Sequence, residues 1–501
     1  MKKFVALVLV CSLVFTLSAC GDKTPDTPTQ TEQYILPTTI IDADISLPYT
    51  SADSFKPYEA KSNFNKDLMT VLYESLYVQS GDGMGKRVLA SSETVTDNTV
   101  TVKLLGGVNF TNGTVLTANH VKSSYELASS NEYFKASLSN ISSVSVIDNN
   151  TISFQLINSD PMVLNTLCFP IVCASGDDYV GSGKYYIDYL EGVPYLAVNT
   201  SHREYNAAWN KQIALYDMAG ISSPIYPFKA NEISIYRNDL SSGEYTNLSS
   251  VTVSEQMNNL VYIGLNSNWA GTVVSNDWFR QVLNIGLNRT SVASMSFLGQ
   301  TDAVSTFYRE EFYMLENVER PSLDGDTLSA IAILEENGYS SFNGEGVRTN
   351  GSNSLNISIL VCNMNPYKVG VAESVKKSLE ALGIGVTIRE TETMEDYVAA
   401  LEEGFFDLYI GETQLTSNYL LDEFFSAEGA LNYGISEELY TTYDAYKRGD
   451  VGITEFVASC NESVPVVPLF YRRSIVSINP NVTGADSSSS AYSGVCNWIL
   501  E

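Results

Sequence analysis

The hydrophobic pattern of this chain changes character along its length. Over residues 63–78, NFNKDLMTVLYESLYV, apolar side chains at Phe64, Leu68, Val71, Leu72 and Leu76 recur at helical spacing and predict a helix. In TVTVKLL, 99–105, Val100, Val102 and Leu104 alternate and predict a strand. SVSVIDNNTISFQL, 143–156, is two alternating runs around Asp148-Asn149-Asn150. It predicts a hairpin, because Asn and Asp tolerate turn backbone angles. Between that strand and hairpin, Asn112-Gly113 supplies a turn. Thr117 is placed to cap a helix with Val121, Tyr125 and Ala128 on one face. His120 reads as a solvated first-turn residue, since no acid or Cys/His partner lies at ligand spacing.

From about residue 256 strands and helices alternate. VYIGLNSN, 261–268, predicts a strand, and SNDWFRQVLNIGLNRTSVASM, 275–295, a helix with Phe279, Val282, Leu283, Ile285 and Leu287 inward. LNISILVC, 355–362, predicts a strand. VGVAESVKKSLEALG, 369–383, predicts a helix stopped by Gly383. IGVTIRE is a further strand, Thr393 with Asp396 resembles a capping box opening the helix MEDYVAALEEG, and FFDLYIG, 405–411, is a strand again. This order implies parallel βαβ units and an α/β lobe.

The N-terminus has its own pattern. Lys2 and Lys3 precede an apolar run from Phe4 to Leu17, which ends in Leu17-Ser18-Ala19-Cys20. A basic start, an apolar centre and small residues before a break mark a signal peptide, here 1–19. Leu-Ser-Ala-Cys resembles the bacterial lipobox, which implies a lipid on Cys20 and a membrane anchor without a spanning helix. Residues 20–33 then read as lipidated Cys and flexible tether. The polar, Thr- and Pro-rich part, 21–33, reaches about 40 Å when extended.

The 501 residues are 44% hydrophobic and 17% charged, which fits a globular protein of two or three domains. Net charge is −29. So acidic a surface repels phosphate backbones and excludes nucleic acid as a partner class. Seven cysteines and two histidines form no CxxC or zinc-like spacing. Cys168 and Cys173 leave two readings open, a local disulfide or buried thiols.

Catalytic motifs do not form. GDGMGK, 81–86, lacks phosphate-loop spacing and has Arg87 where a Ser or Thr would hold magnesium, so it reads as a turn. There is no GxSxG or HExxH. Acidic pairs such as Glu335-Glu336 and Glu402-Glu403 are too common here to mark a glycosidase site. A non-enzyme with no cofactor is the expectation.

Residues 91–128, SSETVTDNTVTVKLLGGVNFTNGTVLTANHVKSSYELA, resemble the most recognisable stretch of the family 5 extracellular solute-binding proteins, the peptide and nickel receptors of ABC importers. Lys103-Leu104, Gly107-Val108, Phe110, Gly113-Thr114, Leu116-Thr117-Ala118, Val121 and Ser124-Tyr125 match in order. Leu105, Asn112 and His120 depart from it. Leu72-Tyr73-Glu74-Ser75-Leu76, Gly181-Ser182-Gly183-Lys184-Tyr185, Tyr262-Ile263-Gly264-Leu265-Asn266, Phe279-Arg280-Gln281-Val282-Leu283, Gly404-Phe405-Phe406-Asp407-Leu408 and Val467-Pro468-Leu469-Phe470 are similar to later family segments.

The resemblance implies an α/β, two-lobe, type II periplasmic-binding-protein-like fold of the large class, with an extra subdomain in lobe I. Lobe I is expected from 34–60, 181–255 and 465–501, the extra subdomain from 61–180 and lobe II from 256–464. It further implies a monomer that closes on its ligand and docks on a permease. In oligopeptide receptors an acid four residues after the Gly of Gly-Trp-x-x-Asp-Tyr holds the peptide amine. Here Leu415 stands there, in Gly411-Glu412-Thr413-Gln414-Leu415. Glu412 is a candidate substitute, with a surface acid as the alternative. Asn432 and Tyr433 either face the cleft or form a plain turn. Tyr262 and Ser182 complete the candidate ligand contacts. Peptide is the leading cargo. An oligosaccharide or a sensed signalling peptide stays open, and a surface hydrolase or adhesin is the reading from another class.

Overall fold

The computed structural model describes residues 41–501 except 97, 270, 427, 428, 486–491 and 493. The signal peptide, Cys20, the tether and the expected start of lobe I at 34–40 lie outside the described residues.

Lobe I is built on a four-stranded sheet in the order Ser46–Tyr49, Gln212–Asp217, Val193–Val198, Tyr185–Leu190. The helix Asn63–Leu72 starts where Ser62 accepts from the Asn65 amide. It turns Leu68, Met69, Val71 and Leu72 into the core beneath that sheet. It ends at Tyr73, short of the expected 78, because Glu74 pairs with Ile171 and Tyr77–Gln79 pairs with Gly85–Arg87. Long-range pairing there overrides helical spacing.

The next body is a four-stranded antiparallel sheet in the order Ala90–Thr96, Thr99–Leu104, Thr151–Leu156, Ile141–Asp148, covered by the helix Ala118–Ser129. The hairpin turns at Asp148-Asn149-Asn150 as expected. His120 is not merely solvated. It is half-buried, its Nδ1 accepts the Thr117 amide at 3.1 Å, and its ring packs edge-on against Phe110. Cys168 and Cys173 are both free thiols, so of the two readings the disulfide is not realised.

Lobe II carries the order Ile235–Asn238, Val466–Ile478, Val251–Leu265, Leu408–Gln414, Asn356–Cys362, Gly385–Thr391, with Thr301–Ala303 beside Val466–Ile478. The last three strands of the order are parallel, as the βαβ pattern requires, and Val251–Leu265 adds antiparallel. The helix expected over 275–295 is two helices, Asp277–Gly286 and Arg289–Met295. Leu287 is extended, and the Asn288 side chain caps the second by accepting from the Ser291 amide. Of the expected 393–396 capping box, the Thr393 cap forms: its hydroxyl accepts the Asp396 amide at 3.0 Å and donates to the Asp396 carboxylate at 2.7 Å, in place of the reciprocal bond to the Thr393 amide. Among the described residues no helix is long and apolar enough to cross a membrane.

Val251–Leu265 and Val466–Ile478 run through both lobes. The start of Val251–Leu265 and the end of Val466–Ile478 lie with Ile235–Asn238 against the lobe I core, and the other half of each lies among the remaining strands of the same sheet. Beneath the lobe I half, Asp67 and Glu255 share one nitrogen of Arg237, at 3.0 and 2.7 Å. Two carboxylates on one cation in a buried site leave one poorly balanced. Burial pushes the Asp67 carboxyl up to about 7; Arg237 opposes the rise, Glu255 adds to it and Lys66 opposes it.

The folded protein therefore holds a proton on Asp67 that the unfolded chain releases above its ordinary pKa of 3.8. Stability is expected to fall as pH rises from about 4 to about 7, by up to about 4 kcal/mol from this group. Asp67→Asn should flatten that part of the profile and be the more stable protein at pH 8. Urea unfolding at pH 4.5, 6 and 8 checks this; parallel profiles for the two proteins would refute it.

Candidate functional site

The strand pair that links the lobes is interrupted once where they meet. Gln256 opposes Arg473 and Leu260 opposes Tyr471, so Met257, Asn258 and Asn259 face Arg472 alone. Backbone groups in such a bulge lose their ladder partners and need others. Arg309 donates to the Met257 carbonyl at 2.6 Å, the Leu415 amide to the Asn258 carbonyl at 2.8 Å, and the Asn259 side chain to Glu412 at 2.9 Å.

Two ion clusters flank the bulge. On one side Arg472, with no exposed side-chain surface, donates through Nε to Glu412 at 2.6 Å and contacts Asp239 at 3.1 Å and Ser241 at 2.5 Å. Lys368 reaches Glu412 at 3.0 Å. Burial would raise the Glu412 carboxyl, but Lys368 and Arg472 outweigh it and hold the group down to about 2. Around Asp302, Arg309 contacts it at 2.7 Å and Arg473 at 3.1 Å, and Arg309 stacks 4.4 Å over the Tyr471 ring. Gln256 donates to Glu311 at 3.3 Å at the exposed edge. The buried junction between the lobes is thus polar, with opposite charges in close pairs.

Of the residues singled out from the sequence, Glu412 lies at this junction. It is not a surface acid: its carboxylate serves two cations and Asn259. Leu415 is buried in the lobe II core, and its amide holds the bulge. Tyr262 is a core residue, its ring against Tyr409 and Phe424. Gly411 packs so closely on that ring that a Cβ would lie 2.3 Å from it. Tyr433 packs on Phe406 and Tyr409, at the far end of the same sheet. Asn432 donates to the Ser426 carbonyl and the Tyr440 hydroxyl. Ser182 donates to Glu74 at 2.8 Å, where the chain returns from the subdomain. The structure does not gather Glu412, Asn432, Tyr433, Tyr262 and Ser182 at one site; Tyr262 and Tyr433 are linked through Tyr409.

Sequence reading missed Arg472, Arg473 and Arg309. Arg472-Arg473 in PLFYRRSIV was the available signal: two adjacent cations inside an apolar run. The two histidines stand apart from the junction. His120 caps its helix, and the His202 Nδ1 accepts the Glu204 amide. Among the described residues, no group of three or more His, Cys, Asp or Glu is placed to hold a metal.

Arg472→Ala should leave Glu412 buried beside Lys368 alone. The expected cost is about 3–5 kcal/mol, read as a lower urea midpoint. Lys368→Ala, at a partly exposed position, should cost less. A midpoint for Arg472→Ala equal to that of the parent would show that the pair holds nothing.

Comparison with known proteins places this geometry. The model of the bacterial extracellular solute-binding proteins, family 5, matches residues 86–430. No curated protein matches. Among solved structures, a nickel ABC transporter protein from Bacillus halodurans aligns at 19% identity and TM-score 0.71, covering 90% of this chain and 98% of that one. A periplasmic murein tripeptide-binding protein in its unliganded open form aligns at 15% identity and TM-score 0.70, covering 92% and 98%. The oligopeptide-binding protein AppA from Bacillus subtilis, in complex with a nonapeptide, aligns at 17% identity and TM-score 0.55, covering 91% and 99%.

Proposed function

The chain belongs to the bacterial extracellular solute-binding proteins of family 5, and from that premise we propose that it captures a peptide between its lobes and delivers it to an ABC importer. The observation that carries the cargo class is the paired charge at the junction, with Arg472 and Lys368 against Glu412 and Asp239, and Arg309 and Arg473 around Asp302. A junction of close opposite pairs suits a ligand whose own charges nearly cancel, as a zwitterionic peptide's do. Glu412 serves here as a counter-ion in the junction, and the peptide is held mainly through its backbone.

An oligosaccharide suits such a junction equally well in charge, but sugar sites need exposed aromatic faces. Tyr471, under Arg309, is fully buried, and Tyr367, beside Phe297 under Arg472, has one face stacked on that ring. A nickel chelate held by protein histidine has no support, since both histidines are engaged elsewhere.

Native mass spectrometry of the protein from residue 21, followed by denaturation, should release a set of peptides whose length sizes the cleft. A released sugar or metal complex would sink the peptide reading. Anchoring through Cys20 rests on the Leu-Ser-Ala-Cys sequence. Growth with an alkyne fatty acid should label the protein, and Cys20→Ala should abolish both label and membrane fractionation. Label retained in Cys20→Ala would overturn the anchor.

A further inference from the structure

The GDGMGK stretch has no phosphate-loop spacing, and solute capture assigns it no part. In the structure it is where the subdomain meets lobe II. The Ser80 hydroxyl and the Met84 amide both donate to Asp82 Oδ1, at 2.6 and 3.1 Å, which fixes a tight turn. Gly83 has φ +83°, and a Cβ there would lie 2.3 Å from the Phe312 ring, so the turn seats directly on that ring. The Asp82 carbonyl accepts the Tyr313 amide at 3.0 Å.

Gln79, just before the turn, reaches further. Its Nε2 donates to the Ser417 carbonyl at 3.0 Å, and its Oε1 accepts from Asn258 Nδ2 at 3.1 Å. Asn258 is the middle residue of the hinge bulge. Ser417 follows the strand that carries Glu412.

We propose that Gln79 and the 80–84 turn form a latch by which the subdomain grips the hinge bulge and holds the lobes in their present arrangement. Its purpose rests on the capture reading, and it deepens that reading by naming a device that regulates closure. The ladder between Val251–Leu265 and Val466–Ile478 is broken at the bulge, so rotation there spares that pairing. Both Gln79 bonds join the subdomain to other bodies, so they favour the present lobe arrangement over any in which those bodies part. Two such bonds are worth about ten- to a hundredfold in that equilibrium, and a ligand that prefers the same arrangement adds its own share. Gln79 is therefore a positioning residue acting through Asn258.

The test is hydrogen exchange and small-angle scattering on the unliganded mature chain, with Gln79→Ala, Gln79→Glu and Gly83→Ala. Gln79→Ala should speed exchange about tenfold or more in peptides covering 256–260 and 79–84, shift the radius of gyration, and leave Tm unchanged. Gln79→Glu keeps an acceptor for Asn258 but sets a carboxylate against the Ser417 carbonyl, so it should fall between. Gly83→Ala, which strains the turn and presses on Phe312, should speed exchange in the same peptides and also lower Tm. Unchanged exchange and size in both alanine variants would overturn the latch. So would faster exchange spread through the subdomain with a lower Tm in Gln79→Ala, which would make Gln79 a packing residue only. None of these readouts needs a ligand. A chain that latches but releases nothing in native mass spectrometry would sink the capture reading alone, and a loaded chain indifferent to Gln79→Ala would sink the latch alone.

Discussion

The hydrogen-bonded ladder between Val251–Leu265 and Val466–Ile478 passes through both lobes, so any relative motion of the lobes must be absorbed by it. A strand ladder is stiff because each residue is paired. Its soft point is where pairing fails, at Met257–Asn259 against Arg472. Buried backbone groups cannot be left without partners. Here the partners come from separate bodies: Arg309 and Leu415 from lobe II and, through the Asn258 side chain, Gln79 from the subdomain. The hinge is thus also the place where the positions of all three bodies are sensed. A second irregularity, between Val261 and Tyr262, falls beside Pro468, which has no amide to give the ladder.

The charge clusters follow from the same constraint. A buried ion is costly unless paired and hydrogen-bonded. Glu412, Arg472 and Lys368 satisfy one another, and Asn259 ties the carboxylate to the bulge. The group that most resembled a free amine anchor is therefore part of the framework that positions the hinge. Arg289, fully buried in lobe II, shows the other solution. It is held by the Pro468 and Asn284 carbonyls and the Asn284 side chain, so the strand that bears Arg472 is braced from both sides.

Local periodicity was a good guide wherever an element's own residues decide its form. The hairpin at Asp148-Asn149-Asn150, the Thr393 cap and the parallel strands of lobe II follow from spacing of apolar positions and from residues that fit turns or caps. It was a poor guide where distant partners decide. The end of Val251–Leu265 is a continuous buried apolar run, and Gln256, Met257, Asn258 and Asn259 interrupt the strand before it. Met257, Asn258 and Asn259 are the bulge, and nothing local announces that Asn258 meets Gln79, more than 170 residues away.

The sequence by itself determined the family resemblance, the order of elements, the acidic character of the chain and the absence of a catalytic motif. These depend on residue types and on spacings within short windows, which survive without knowledge of contacts. Only the tertiary structure decided that Glu412 is ion-paired, that Tyr262 is a core side chain with Tyr433 packed at the edge of that core, that Cys168 and Cys173 stay free thiols, and that the 80–84 turn docks on Phe312. Each of these outcomes is set by what approaches from another part of the chain. Burial and pairing are properties of a neighbourhood, and a linear pattern does not specify a neighbourhood that is assembled from residues hundreds of positions apart.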